Sequence, residues 1–223
     1  NIKNYLELKE RMLEKRVPSV FLKPVYGSGA AGILALSINP VTGKVVAYTA
    51  AGVEKDILFQ QKKIRKITKE KEVETIVNAI ASLETIVERW YPKATLEGDP
   101  FDFRVLWQFG QIECIVCRKS VTPITNLHLN NGAIALEKVL QSEEDWNKGN
   151  IQKDLARVCE EAMALFPTMH MAGIDVMLDK KTGRPRIIEM NGQGDLLYQD
   201  IYGENKIYSR QVVQMNNMCE HFH

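Results

Sequence analysis

Apolar positions recur along the chain in two rhythms. Tyr5, Leu6, Leu8, Met12 and Leu13 fall at helical spacing and predict a helix over residues 3–15. Val73, Ile76, Val77, Ile80, Leu83, Ile86, Val87 and Trp90 repeat every three or four residues and predict a long amphipathic helix over 72–90. Ile151, Leu155, Val158, Ala162 and Leu165 predict another over 150–166, stopped by Pro167. Residues from Tyr208 to about 219 read as a closing helix. Shorter apolar runs predict strands near 19–24, 32–38 and 44–49, then over 102–109 and 111–119, and finally over 173–178 and 186–190. The basic stretch QQKKIRKITKEK, residues 60–71, reads as a solvated strand or loop.

The early strands surround Gly27-Ser28-Gly29-Ala30-Ala31-Gly32, a literal G-x-G-x-x-G. A dinucleotide fingerprint needs a helix opening out of such a loop. Here Ile33 to Ile38 is rich in β-formers, and Asn39-Pro40-Val41-Thr42-Gly43 then turns the chain. The pattern is strand, loop, strand. A Walker loop would end in Gly-Lys-Ser/Thr, and this one ends in Ala31-Gly32-Ile33. Lys23, closing the strand before the loop, could reach phosphates as a point charge, with glycine N–H groups approaching closely. The competing interpretation is an ordinary glycine-rich hairpin with a surface lysine.

A second signal lies in GIDVMLDKKTGRPRIIEMNGQGD, residues 173–195. Glu189 and Asn191 are two apart on a predicted strand and share a face. The hairpin can bring Asp175 of the preceding strand beside them. Carboxylate and amide oxygens grouped this way suit a hard cation such as magnesium. The alternative is a surface hairpin whose polar face meets water.

A length of 223 residues suits one large domain or two intimate lobes. A net charge of +1 excludes a polyanion binder, so no nucleic-acid partner is expected. No apolar run approaches the roughly 20 residues that span a membrane. Four cysteines suggest a reducing, cytoplasmic compartment rather than a disulfide scaffold. Cys114 and Cys117 form a C-x-x-C within a strand, where they face opposite sides, and read as core. Cys219, His221 and His223 crowd the C-terminus without a convincing metal role, and His170 reads as a satisfied, semi-buried histidine. The chain starts at Asn1 within helix-like sequence, so an N-terminal portion is expected to precede it.

Lys23-Pro24, the glycine loop and the acidic hairpin together resemble the ATP-grasp superfamily, within it the glutathione synthetase and ribosomal-protein glutamate ligase branch. The middle of the chain adds Glu88-Arg89-Trp90-Tyr91-Pro92, Asp102-Phe103-Arg104-Val105-Leu106, Arg118, Asn126-Leu127-His128 and Asn131-Gly132, in the branch's order over residues 20–195. The resemblance implies an α+β ATP-grasp fold of two lobes, each with an antiparallel sheet and helices, holding a nucleotide between them. The lobes would span 1–90, with 1–18 a linking helix, and 91–223.

By the same resemblance, Lys23 contacts the α- and β-phosphates, and the loop of Gly27, Ser28, Gly29, Ala30 and Gly32 closes over the β- and γ-phosphates. The backbone of Arg89, Trp90 and Tyr91 reads adenine. Asp102 contacts ribose, with Glu97 or Asp99 as competitors. Arg104 and Arg118 meet the transferring phosphoryl group or the substrate. Asp175, Glu189 and Asn191 hold Mg2+, with Mn2+ a substitute. Alanines replace glycines in the loop, where negative φ at alanine would still allow close approach. His128 stands where relatives are often small or basic, and Gly192-Gln193-Gly194-Asp195 departs from the usual sequence. The activity implied is ATP-dependent ligation of a small-molecule or peptide carboxylate to an amine through an acylphosphate, with homo-oligomerisation left open. A phosphotransferase acting on a hydroxyl and a non-catalytic nucleotide-binding module are the alternatives.

Overall fold

The computed structural model describes the chain except residues 1, 28, 130, 143–145, 147–149, 193–205 and 221–223, and the side chains of 206 and 218–220. The described chain divides into two compact units, residues 1–92 with 120–132, and residues 93–119 with 133–223.

The first unit is a five-stranded antiparallel sheet in the order β4-β3-β2-β1-β5. Its strands are β1 (Ser19–Pro24), β2 (Leu34–Ile38), β3 (Val45–Glu54), β4 (Ile57–Ile67) and β5 (Thr85–Arg89). Two helices, α1 (Tyr5–Glu14) and α2 (Glu70–Ala81), contribute to a single core with the sheet. Asn4 caps α1 by accepting from the Glu7 N–H at 2.9 Å. Tyr5, Leu8 and Met12 of α1 join Val73, Ile76, Val77 and Ile80 of α2 over Val20, Leu22, Leu34 and Leu36. Leu6 and Leu13 remain outside, 62% and 57% exposed.

The helix expected over 72–90 ends at Ala81. Thr85 to Arg89 is instead β5, paired with β1 in the register Leu22↔Val87. The reason is local and tertiary at once. Ser82 caps the helix C-terminus, and the Thr85 hydroxyl donates to the Ile80 carbonyl at 2.8 Å. The β-branched run Thr85-Ile86-Val87 then suits an open sheet edge better than another helical turn. The basic stretch after Gln60 is a strand to Ile67, after which α2 begins.

The other face of this sheet carries a second, smaller cluster. Phe21, Ala35, Tyr48, Ala50 and Trp90 meet Ile124 and Leu129 from the returning segment 120–132. A single cut near residue 90 therefore does not describe the chain, because that segment folds with the first unit.

The second unit is a six-stranded sheet ordered β11-β10-β7-β8-β9, with β6 pairing β7. These strands are β6 (Thr95–Leu96), β7 (Asp99–Gln108), β8 (Gln111–Lys119), β9 (Gly132–Ile134), β10 (Met171–Leu178) and β11 (Pro185–Asn191). β7 and β8 turn through Phe109 and Gly110 at φ 46° and 87°, the left-handed pair of a two-residue hairpin. Phe101, Phe103, Val105, Ile174 and Val176 form one face and pack with α3 (Leu136–Leu140) and α4 (Ile151–Met163). α4 ends at Met163, which leaves Leu165 77% exposed rather than inward. The closing helix α5 (Lys206–Glu220) packs Ile207 on Leu106 and ties Arg210 to Glu113 at 2.7 Å.

Cys117 belongs to the α4-side core and Cys114 to the cluster around Leu106, the opposed faces expected of a C-x-x-C in a strand. Burial pushes the Cys117 thiol up to about 12 and that of Cys114 up to about 11. Neither is a reactive thiolate at neutral pH. His170 is exposed rather than semi-buried, and its ring stacks on Phe109 with centroids 6.0 Å apart.

Candidate functional site

In the first unit, strand alternation sets the site. Val20 and Leu22 point into the helix-side core, so Phe21 and Lys23 take the opposite face. The Lys23 ammonium lies 2.7 Å from Glu88 Oε2 of β5, with its side chain 14% exposed. The glycine loop leaves β1 just beyond it. Gly29, Ala30 and Gly32 have φ of 61°, 64° and 70°. Ala30 is thus left-handed, contrary to the negative φ expected, and its methyl packs with the Ile124 and Leu129 cluster. That packing offsets part of the roughly 1–2 kcal/mol a non-glycine residue loses there.

Gly32 is fixed for two reasons. Its φ is positive, and a Cβ on it would stand 2.8 Å from Pro24 Cγ. Its N–H donates to Gln60 Oε1 of β4 at 3.2 Å. Close by, β4 departs from regular pairing with β3: Ala51 faces Gln60 and Thr49 faces Arg65. The returning segment brings His128 to the loop, its Cδ2 3.9 Å from where a Cβ on Gly29 would lie. Gly27 sits against Pro24 and the Ala31 carbonyl. Ser28 lies outside the described residues.

Of the proposed hinge, Arg89 ends β5 opposite Val20. The Trp90 N–H donates to the Ser19 carbonyl at 3.0 Å, and its ring leans on Phe21 and Tyr48. The Arg89 guanidinium lies 5.3 Å over the Tyr91 ring.

In the second unit the polar residues form a ladder across three strands. Asp102 and Arg104 are two apart on β7 and share the face opposite Phe101 and Phe103. Arg118 of β8 pairs with Asp102 in register, and Asp175 of β10 pairs with Arg104. Asp102 Oδ1 accepts from Arg118 Nε at 2.7 Å and Oδ2 from Lys93 Nζ at 2.8 Å. Arg118 reaches Asp175 Oδ2 at 3.1 Å, and Arg104 grips the same carboxylate through Nε and a second nitrogen. Asp102, Arg104, Arg118 and Asp175 are all buried.

Burial alone would raise the Asp102 pKa, but the charges of Lys93 and Arg118 outweigh it and hold the carboxyl below the usual carboxylate range. Burial would likewise lower Arg118, and Asp102 and Asp175 more than reverse it. Sequence reasoning missed Lys93. Nothing in the residues before β7 marks it, because its role depends on the strand register.

The hairpin brings the expected oxygen donors together. Asp175 stands directly opposite Glu189, and Gly173 opposite Asn191, so the three side chains share one face. The register then slips after Asp175, a bulge that takes up Ile188. Glu189 and Asn191 are exposed while Asp175 is buried. Both Asp175 oxygens already accept from Arg104 or Arg118, so a magnesium ion that keeps several waters would rest mainly on Glu189 and Asn191 and share Asp175 with the arginines. Among the described residues no group of three or more His, Cys, Asp or Glu side chains is placed to hold a metal. Any cation here would therefore rest on this smaller set and on substrate oxygens. The Gln193–Asp195 departure lies outside the described residues, as do His221, His223 and the Cys219 side chain.

Among the described residues no helix is long and apolar enough to cross a membrane. The sequence matches the model of the YheC/D like ATP-grasp family over residues 4–215. No curated protein matches it. Among solved structures, it is similar to the ATP-grasp ligase PsnB complexed with a phosphomimetic variant of minimal precursor, Mg and ADP. Identity is 16% with a TM-score of 0.42, over 88% of this chain and 43% of that one. The PsnB complex with minimal precursor, Mg and ADP gives 13% identity and a TM-score of 0.43, over 86% and 44%. The chain thus spans less than half the length of the solved structures it matches.

Proposed function

From the premise that the chain belongs to the YheC/D like ATP-grasp family, we propose that it is an ATP-dependent ligase activating a carboxylate as an acylphosphate for attack by an amine. The observation that carries this most directly is the second-unit face on which Asp175, Glu189 and Asn191 stand together beside Arg104 and Arg118. That face joins a hard-cation donor set to two guanidinium groups, as transfer of a charged phosphoryl group requires.

Lys23 binds the inner phosphates of ATP, exchanging Glu88 for them. The loop from Gly27 to Gly32 covers the outer phosphates through backbone N–H groups and keeps water from the acylphosphate. The backbone after Arg89 orients adenine. Arg104 and Arg118 meet the γ-phosphoryl as it passes to the carboxylate. A single unit charge about 4 Å away, at an effective dielectric near 20, is worth ~4 kcal/mol, and the share that grows toward the transition state accelerates transfer. Asp175, Glu189 and Asn191 hold magnesium, which when bound neutralises developing charge on the phosphate oxygens. The amine then displaces phosphate, and no protein nucleophile takes part. The acid and amine are chosen by residues 122–131 and 192–203, together with any domain preceding this chain.

Hydroxylamine tests this chemistry. With ATP, magnesium and a panel of small and peptide carboxylates, the proposal expects ADP release with hydroxamate, the trapped acylphosphate. A stable phosphate ester on a hydroxyl-bearing acid of the panel, without hydroxamate, would instead identify a phosphotransferase. Nucleotide binding with no ADP from any acid would favour a binding module.

A further inference from the structure

Asp102 is the most deeply buried charge of the second unit's ladder, at 1% exposure, and both of its oxygens are engaged inside the protein. A ribose contact needs a carboxylate presented to a ligand. This one is turned instead to Lys93 and Arg118.

Lys93 is held firmly. Its backbone bridges to Asp179, and the next N–H, of Ala94, donates to the Leu178 carbonyl at 2.8 Å. Its side chain is only 9% exposed. Desolvating five charged groups is costly, and apolar residues of similar volume would often serve stability as well or better. Stability alone therefore does not account for a buried group of this kind.

The charge count supplies a further reason. Lys93, Arg104 and Arg118 stand against Asp102 and Asp175, with Glu189 facing Asp175 from β11, so three positive and three negative charges meet here among the described residues. Arg118 lies between the two carboxylates. Asp175 is also the ladder member that faces Glu189, so anything bound on that hairpin draws on the same carboxylate. Asp102 is two strands away from β11, roughly 10 Å at normal strand spacing, and holds Arg118 from the far side of the hairpin. Without Lys93 this face would gain a net negative charge and Asp102 would draw more heavily on Arg118, the wrong balance for meeting an anion.

We propose that Lys93 and Asp102 are positioning residues, which fix the Arg118 guanidinium in register and leave its charge available to the terminal phosphoryl group of ATP. This rests on the ligase reading above. Neither residue touches nucleotide. Lys93 acts on Asp102, Asp102 acts on Arg118, and Arg118 makes the contact.

The test is calorimetric titration of the full chain with ADP and with a non-hydrolysable ATP analogue, both with magnesium, for wild type, Lys93→Met and Lys93→Arg, alongside thermal melts. Wild type is expected to bind the ATP analogue more tightly than ADP. Lys93→Met should weaken the analogue about tenfold, some 1.4 kcal/mol, while ADP stays within about twofold. Lys93→Arg should restore most of the difference. If Lys93→Met melts too low for titration, Lys93→Gln, which keeps a donor for Asp102 without the charge, should show the same split. Equal weakening of both nucleotides would place the Asp102 end against their shared ribose and overturn the proposal. Unchanged affinities with a lower Tm would reduce the pair to a structural role, overturning it equally. A wild type that binds neither nucleotide would fail the ligase reading itself, before any variant is compared.

Discussion

In the first unit, the sheet face away from α1 and α2 presents Lys23, paired to one partly exposed carboxylate, beside a glycine loop whose Gly32 N–H donates to Gln60. In the second, the face away from α3 and α4 presents a buried ladder of side-chain charges held by strand register. Lys23 can exchange Glu88 for a phosphate because the released Glu88, 41% exposed, returns to water, while Lys23 itself, 14% exposed, stays in place. The ladder cannot be rearranged so readily, because each charge in it is the counter-ion of another. The first face rests on backbone groups and one exchangeable pair, the second on side chains already locked to one another. Substitutions in the ladder should therefore affect folding as well as chemistry, while those in the loop and at Lys23 should act mainly on nucleotide binding.

The largest break in that contrast is Arg118→Leu, which removes the guanidinium shared by Asp102 and Asp175 and leaves the first to Lys93 and the second to Arg104. Denaturant titration should show a loss of about 3–5 kcal/mol, and a loss below about 1 kcal/mol would mean the charges do not act as a unit. Acid attacks the same ladder. The folded-state pKa of Asp102 is depressed, so its contribution is fully present above the unfolded value near 3.9 and is lost as pH falls through the lower folded value. Asp102→Asn should accordingly flatten the acid limb of a stability–pH profile below about pH 4, and an unchanged limb would count against this.

Next comes Glu189→Gln. Glu189 is exposed at the edge strand, so Tm should change little while ADP release falls on the order of 100-fold. Undiminished turnover would remove Glu189 from the site. Lys23→Ala should weaken ATP by about tenfold or more, consistent with a charged hydrogen bond of ~1.5–3 kcal/mol, with folding preserved. Smallest are the loop changes. Gly32→Ala should cost about 1–2 kcal/mol, from its φ of 70° and the approach of Pro24. Ala30→Gly should shift stability by less than about 1 kcal/mol, as relief of its positive φ is offset by a freer unfolded chain.

Much of this was legible in the residues, unevenly and for physical reasons. A period of two puts Glu189 and Asn191 on one face whatever the rest of the fold does, and a short turn leaves few registers for Asp175. The strand after the glycine loop was equally plain, because Ile33 to Ile38 cannot supply a crossover helix. Residues 72–90 misled because Leu83, Ile86, Val87 and Trp90 extend a helical period by accident, although Ser82 and the β-branched run after it were a visible stop. Ala30 is left-handed and packs against the cluster that holds Ile124 and Leu129, almost a hundred residues away, and no local signal carries that contact. The same is true of the return of residues 120–132 to the first unit and of Lys93 beneath Asp102. Pairings between distant strands, rather than motifs, decide all three.

The central claim is that this chain grips ATP with the help of a cation held by Asp175, Glu189 and Asn191. Calorimetric titration of ATP into the full chain and into Glu189→Gln, each with and without magnesium, tests it most directly. The account predicts magnesium-dependent binding in the wild type that is lost or becomes magnesium-independent in the variant. Binding identical in both proteins, or no nucleotide binding by the wild type, would contradict it.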